Sequence, residues 1–167
     1  MVMNTYHPQD INQANEPASA YVPSPNKYNH LMSILGGSKA ISQKVNNEMD
    51  LILLTRSGLP KKTLDALSKR LNISMERLSQ LLHISLRTLQ RKAPGEHLSV
   101  HVSEQILAIA EVIRRGIEVL GDESQLEIWL HSELPALSDR KPIDLMDTSF
   151  GTQLLLKILG RIEHGVY

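Results

Sequence analysis

Residues 85–92, SLRTLQRK, crowd three cations (Arg87, Arg91, Lys92), one amide (Gln90) and two hydroxyls (Ser85, Thr88) into eight positions without a single acid. On a helix with Leu86 and Leu89 turned inward, Arg87, Thr88, Arg91 and Lys92 point outward and Gln90 lies nearer the edge. An arginine can bridge O6 and N7 of guanine, a glutamine can pair with adenine, and lysine and threonine suit phosphate oxygens. A basic stripe also attracts any polyanion in a salt-sensitive way. Together these residue types can contact duplex DNA. The plain alternative is a solvated face on a bundle helix.

Such a stripe needs a second helix to hold it in a groove. Ser74 is placed to cap a short helix with Leu78, Leu81 and Leu82 on one side, and Ser85 to cap the next, with Leu86, Leu89 and Ala93 inward and Pro94-Gly95 as its stop. The join between them has the length of a helix-turn-helix. Ser79, His83, Ile84, Ser85, Thr88 and Leu89 fall where that motif wants small, turn, apolar, cap, polar and apolar residues. The turn position is left-handed and takes glycine most easily; His83 is among the few tolerated substitutes. Before it, Pro60 opens a helix with Leu64, Leu67 and Leu71 inward.

The remaining chain supplies the support. Residues 1–27 carry prolines at 8, 17, 23 and 25 and no apolar period, which reads as a mobile segment. Residues 28–41 suit one short helical turn stopped by Gly36-Gly37, and EMDLILLTRSGLP is an apolar run, helical or extended, closed by Gly58. After the loop PGEHLSV, Val102, Ile106, Ile109, Ile113, Ile117 and Leu120 mark a long helix. That stripe is near a heptad and can serve dimerisation, although the core of a bundle is the better reading. Asp122 caps a helix bearing Leu126, Trp129 and Leu130. Pro142 opens a short turn with Ile143 and Met146, and Thr148 or Ser149 starts a last helix with Leu155, Ile158, Leu159 and Ile162 inward. Nothing alternates with period 2, so the fold class is all-α.

Composition narrows the function. The formal net charge of the 167 residues is zero, but residues 60–92 hold eight Lys/Arg against two acids while residues 104–167 hold eleven acids against six Lys/Arg. A basic block joined to an acidic one implies two surfaces with different partners. There is no cysteine, so no disulfide or thiolate metal site. No apolar run is long enough to span a membrane and the start lacks a signal peptide's pattern, which together predict a cytoplasmic chain with no membrane partner. Of the seven histidines only His97 and His101 have i, i+4 spacing, in a region that Pro94-Gly95 and Ser99 make a loop, and no HExxH, GxGxxG, GxxxxGK[ST] or GxSxG occurs. Catalytic residues, metal and cofactor are therefore expected to be absent, and the chain is not read as an enzyme. At the far end, Trp129 is more naturally core than contact, whereas the Gly165-Val166-Tyr167 end offers an aromatic anchor for a partner pocket.

The series LGGSKAI, DLILLTRSGLP, SLRTLQRK, VSEQILAIAEVI, IWL, RKPIDLMDTSFG and LGRIEHGVY resembles the Xre/MbcA/ParS antitoxins over roughly residues 34–167. The resemblance implies three parts: a flexible segment, 1–33; an Xre-like helix-turn-helix DNA-binding and dimerisation region, 34–100; and a small helical toxin-binding domain, 101–167. It implies a homodimer that represses its own operon by binding operator DNA. It also implies a cognate toxin, most often a RES-domain protein that degrades NAD, whose active site the C-terminal half covers. The DNA-binding positions are then Ser85, Arg87, Thr88, Gln90, Arg91 and Lys92. The toxin-binding positions are Trp129, Arg161, Glu163, His164, Gly165, Val166 and Tyr167. One departure is Ser138-Asp139-Arg140-Lys141-Pro142, where relatives usually carry a glycine pair before the proline. A stand-alone dimeric helix-turn-helix transcriptional regulator is the alternative, and an interaction module without DNA binding is a third reading that the basic block disfavours.

Overall fold

The computed structural model describes residues 25–166. Among the described residues eight α-helices run in the order α1 Pro25–Ile34, α2 Glu48–Ser57, α3 Lys62–Leu71, α4 Met75–Leu81, α5 Leu86–Arg91, α6 Val100–Leu120, α7 Glu123–His131 and α8 Ser149–Glu163. Short 3-10 turns lie at Gly37–Lys39, Pro135–Leu137 and Pro142–Leu145. Among the described residues extended pairing is limited to two isolated bridges, Pro60 with His97 and Leu134 with Arg140. The fold is all-α.

Side-chain caps set most of the helix starts. Asn47, Ser74, Ser85, Ser99, Asp122 and Thr148 each accept a backbone N–H from the first turn of α2, α4, α5, α6, α7 and α8. Each satisfies a donor that the helix itself leaves unpaired. α6 is the organising element. Ile106, Ile109, Ala110, Val112 and Ile113 are fully buried on it, and it packs against α1, α2, α7 and α8. Its near-heptad stripe is thus consumed by the chain's own core, which is continuous from Tyr28 to Leu159. The boundary expected between residues 100 and 101 falls in the first turn of α6, the helix that both halves share.

The amino-terminal part differs from expectation. Residues 1–24 of the predicted mobile segment lie outside the described residues, but 25–33 belong to the ten-residue α1. Tyr28, Leu31, Ile34 and Leu35 are buried, and α1 lies against α6 and α3. A helix this short is marginal alone and is stabilised by the apolar face it lays on α6. α5 also stops sooner than expected: Lys92 is extended and Ala93 exposed, so the inward row ends at Leu89.

Candidate functional site

On α5, Ser85 caps the helix through its Oγ, which takes the Thr88 N–H at 3.1 Å and lies 2.7 Å from Thr88 Oγ1. Both hydroxyls are therefore engaged in holding the helix start. Arg87, Gln90 and Arg91 are exposed. Arg87 and Arg91 stand one turn apart and form no ion pair or hydrogen bond among the described residues, so the two guanidinium groups share an uncommitted face. Lys92 does not. Its Nζ donates to Glu96 Oε1 at 2.5 Å and to the His97 carbonyl at 3.2 Å, while Lys61 Nζ donates to the Lys92 carbonyl at 2.5 Å. The ammonium beside Glu96 holds that carboxyl below its ordinary range, aided by the Ala93 N–H. Lys92 thus clamps the loop after α5 instead of pointing outward, because the helix ends one residue before it. His83 takes φ 51 at the turn, the left-handed geometry the motif requires.

The second cluster is built around α8. Thr148 caps it, and a Cβ on Gly151 would fall 1.7 Å from the Leu145 carbonyl oxygen, so only glycine lets the preceding 3-10 turn close onto the helix. Ser138 and Asp139 both take left-handed backbone, φ 55 and 58. The loop keeps a conformation that favours a glycine pair although neither residue is glycine. Leu155, Ile158 and Leu159 are buried as expected. Leu154 is not part of that core: it is 43% exposed, and Phe150, one turn earlier, is 84% exposed. Lys157 and Arg161 are also exposed and continue the same side of α8 at spacings of three and four.

The expected contact residues at the end of α8 divide. Trp129 is 8% exposed, with Leu126 and Leu130 beside it in the core, so it is a packing residue. Glu163 pairs with Arg115 of α6 and lies 3.8 Å from His164 Nε2, which anchors the end of α8. Arg115 and Arg114 also hold Glu118, whose carboxyl is lowered first by the hydrogen bond from Arg115 and further by the charge of Arg114. Gly165, at φ 64, terminates the helix: its N–H donates to the Ile162 carbonyl and the Val166 N–H to Arg161. Arg161, His164 and Val166 are exposed; Tyr167 lies outside the described residues. Phe150 and Leu154 were missed by sequence reasoning. Their signal is that they are apolar and out of phase with the 155–158–159–162 stripe.

Polar contacts join the two clusters. His83 Nε2 donates to the Asp147 carbonyl at 2.9 Å and Arg77 pairs with Asp144 at 2.5 Å, tying the helix-turn-helix to the segment just before α8. His131 Nε2 donates to the Leu71 carbonyl at 2.9 Å, Asn72 to Glu127 at 2.7 Å, and Arg70 pairs with Glu123. Among the described residues no group of three or more His, Asp or Glu could hold a metal ion, and no helix is long and apolar enough to cross a membrane.

Residues 50–111 match the antitoxin Xre-like helix-turn-helix domain, and residues 115–165 match the antitoxin Xre/MbcA/ParS C-terminal toxin-binding domain. The chain belongs to the Xre/MbcA/ParS antitoxin family. It is an antitoxin of a toxin–antitoxin system, with a helix-turn-helix domain followed by a toxin-binding one. Among similar proteins, the Prs ADP-ribosylating antitoxin of Sphingobium sp. (strain YBL2) is 25% identical over 129 residues, 71% of this chain and 81% of that protein. The antitoxin Xre of Photorhabdus laumondii subsp. laumondii is 22% identical over 115 residues, 68% of this chain and 78% of the relative. The antitoxin chain is also similar to a chain in the crystal structure of the M. tuberculosis MbcT-MbcA toxin–antitoxin complex, at 23% identity and a TM-score of 0.48, covering 64% of this chain and 96% of that one. Against these domain limits, the Arg87–Arg91 face lies in the first match and the Phe150–Leu154 ridge in the second.

Proposed function

We propose that this antitoxin neutralises a cognate RES-domain toxin by covering the toxin's active site so that NAD cannot enter, and that as a cytoplasmic homodimer it represses its own operon by binding operator DNA. The protein does no chemistry in this reading; it blocks one partner and occupies another. The observation that carries it is the pairing, in one chain, of an uncommitted Arg87–Arg91 face with an exposed Phe150–Leu154 ridge. Two exposed guanidinium groups a turn apart suit guanine edges and phosphates. A ridge led by an 84%-exposed phenylalanine suits an apolar pocket on a folded protein, with Lys157 and Arg161 fixing register at its rim. Arg87, Gln90 and Arg91 are assigned to base and phosphate contact, with Ser85 and Thr88 shaping the helix start. Arg161, His164 and Val166 extend the toxin surface from the end of α8, and Tyr167 is assigned to the same contact.

Co-expression with the neighbouring gene tests the reading, with growth and cellular NAD followed together. The expected result is that the neighbour alone stops growth and depletes NAD, and that the antitoxin restores both. Growth arrest without NAD loss would replace the toxin's chemistry and leave neutralisation standing. A harmless neighbour would overturn the proposal in favour of a stand-alone dimeric regulator.

A further inference from the structure

His83 occupies the turn position of the helix-turn-helix, where glycine fits most easily. It takes φ 51 there, a left-handed backbone that a residue with a Cβ adopts only under strain. Strain of this kind persists where the surrounding structure holds the residue in place, and it clusters at functional sites. The imidazole has a partner outside the motif, since its Nε2 donates to the Asp147 carbonyl at 2.9 Å. His83 lies two residues before Ser85, the cap of α5, and Asp147 three residues before Phe150, which leads the exposed ridge of α8. One hydrogen bond therefore joins the start of the arginine-bearing helix to the start of the apolar one.

The turn that accepts this bond is built onto α8. Thr148 caps the helix, and Gly151 lets the Leu145 carbonyl close against it. Gln105 of α6 donates to the Met146 carbonyl, and Arg77 of α4 pairs with Asp144 at 2.5 Å. Residues 144–147 are thus fixed to α6 and α8 and tied twice to the helix-turn-helix. α5 has little support of its own. It is six residues long, buries Leu89 alone and packs on α4. Its pose depends on what holds its ends: the Lys92 clamp beyond its last turn, and the Ser85 cap with the His83 turn before its first. A small tilt of α5 displaces the far ends of Arg87 and Arg91 by more than a hydrogen bond to a base edge tolerates, which is a few tenths of an ångström.

We infer that His83 is a positioning residue that sets the pose of α5 from the turn carrying α8, so that a toxin seated on Phe150 and Leu154 tightens the grip of α5 on operator DNA within the same protomer. A partner that stills the first turn of α8 also stills the Asp147 carbonyl, and α5 then reaches the duplex with less left to order. The inference rests on the proposed toxin and operator binding and adds the residue that links them. The link is reciprocal, so the duplex tightens toxin binding by the same factor. A toxin that touched the duplex itself, or bridged two antitoxins on it, would need no such residue.

Fluorescence anisotropy at fixed salt tests the link, on a duplex spanning the DNA upstream of the antitoxin's own gene, with and without the saturating purified product of the neighbouring gene. The quantity read is the ratio of the two affinities. It is expected to be about fivefold or more in the wild type and to fall within about twofold of unity in His83→Gly and in His83→Asn. Both replacements accept left-handed backbone; glycine has no side chain and asparagine's amide stops short of Asp147. Agreement between them separates the lost ring from glycine's added freedom. Circular dichroism and toxin binding without DNA are expected to match the wild type in both variants. A wild-type ratio near unity would overturn the link. A ratio kept at the wild-type value in both variants would overturn the role of His83, and a fall in their operator affinity alone would make it a DNA contact instead. A neighbouring product that does not bind the antitoxin would overturn the proposed function, and hydrogen exchange of the antitoxin alone then decides the positioning. The α5 amides are expected to exchange about threefold or more faster in both variants with α3 unchanged, and equal exchange would overturn it.

Discussion

α5 and α8 expose opposite materials. α5 is six residues long, presents arginines, and draws its rigidity from a Ser85 cap and from Leu89 beneath it. α8 is fifteen residues long, presents Phe150 and Leu154, and rests along α6. A duplex offers charge and hydrogen-bonding edges to a partner that keeps its own waters, so a short helix bearing long cationic side chains suffices. A folded protein offers pockets that must be emptied of water, which calls for apolar bulk on a helix stiff enough to hold it. The two helices expose different surfaces but share one support, because His83 and Arg77 reach from the helix-turn-helix to the segment that starts α8.

Removing the shared support should erase the comparison. Trp129→Ala opens a cavity in the core that α6 and α7 share. It is expected to cost about 3–5 kcal/mol of stability, visible as a large drop in melting temperature, with DNA binding and neutralisation falling together. Loss of neutralisation with unchanged melting would instead make Trp129 a toxin contact. Phe150→Asp combined with Leu154→Asp should separate the halves. Binding to the toxin is expected to fall about a hundredfold or more by titration calorimetry, with operator binding by the antitoxin alone unaltered. Arg87→Ala with Arg91→Ala is the mirror experiment. Each arginine is expected to contribute about 1–3 kcal/mol if it reads a base, and the slope of affinity against salt should flatten by about two per protomer if both reach phosphates. Neutralisation should be unchanged. Unaltered DNA binding in a gel shift would remove α5 as the reader.

Much of this was legible from residue types alone. Ser74, Ser85, Asp122 and Thr148 announce helix starts because a short side-chain oxygen can reach the free N–H groups of a first turn. The Leu and Ile stripes of α3, α4, α6 and α8 announce the buried sides. The left-handed turn at His83 was legible from the motif's spacing. α1 was legible only in part, as a short helical turn within residues 28–41 stopped by Gly36-Gly37; its start at Pro25 and its full length rest on contacts with α6 and α3, which are distant in sequence. The fate of Lys92 was not legible: an outward position on a continued helix and a clamp on Glu96 and His97 differ only by where α5 ends.

The sequence by itself therefore determined the class, four of the helix starts, the charge division and the Arg87–Arg91 face, all of which follow from local spacing and capping. Tertiary structure decided which apolar residues remain outside. Met49, Ile52, Leu53, Phe150 and Leu154 are no less apolar than their buried neighbours, and their exposure depends on how α2 and α8 turn when they settle on α6. It likewise decided that Trp129 is core and that Glu163 is tied to Arg115. Burial is a property of the assembled surfaces, not of any residue's type, and a helix with apolar residues on more than one side has no local rule for choosing the side it hides.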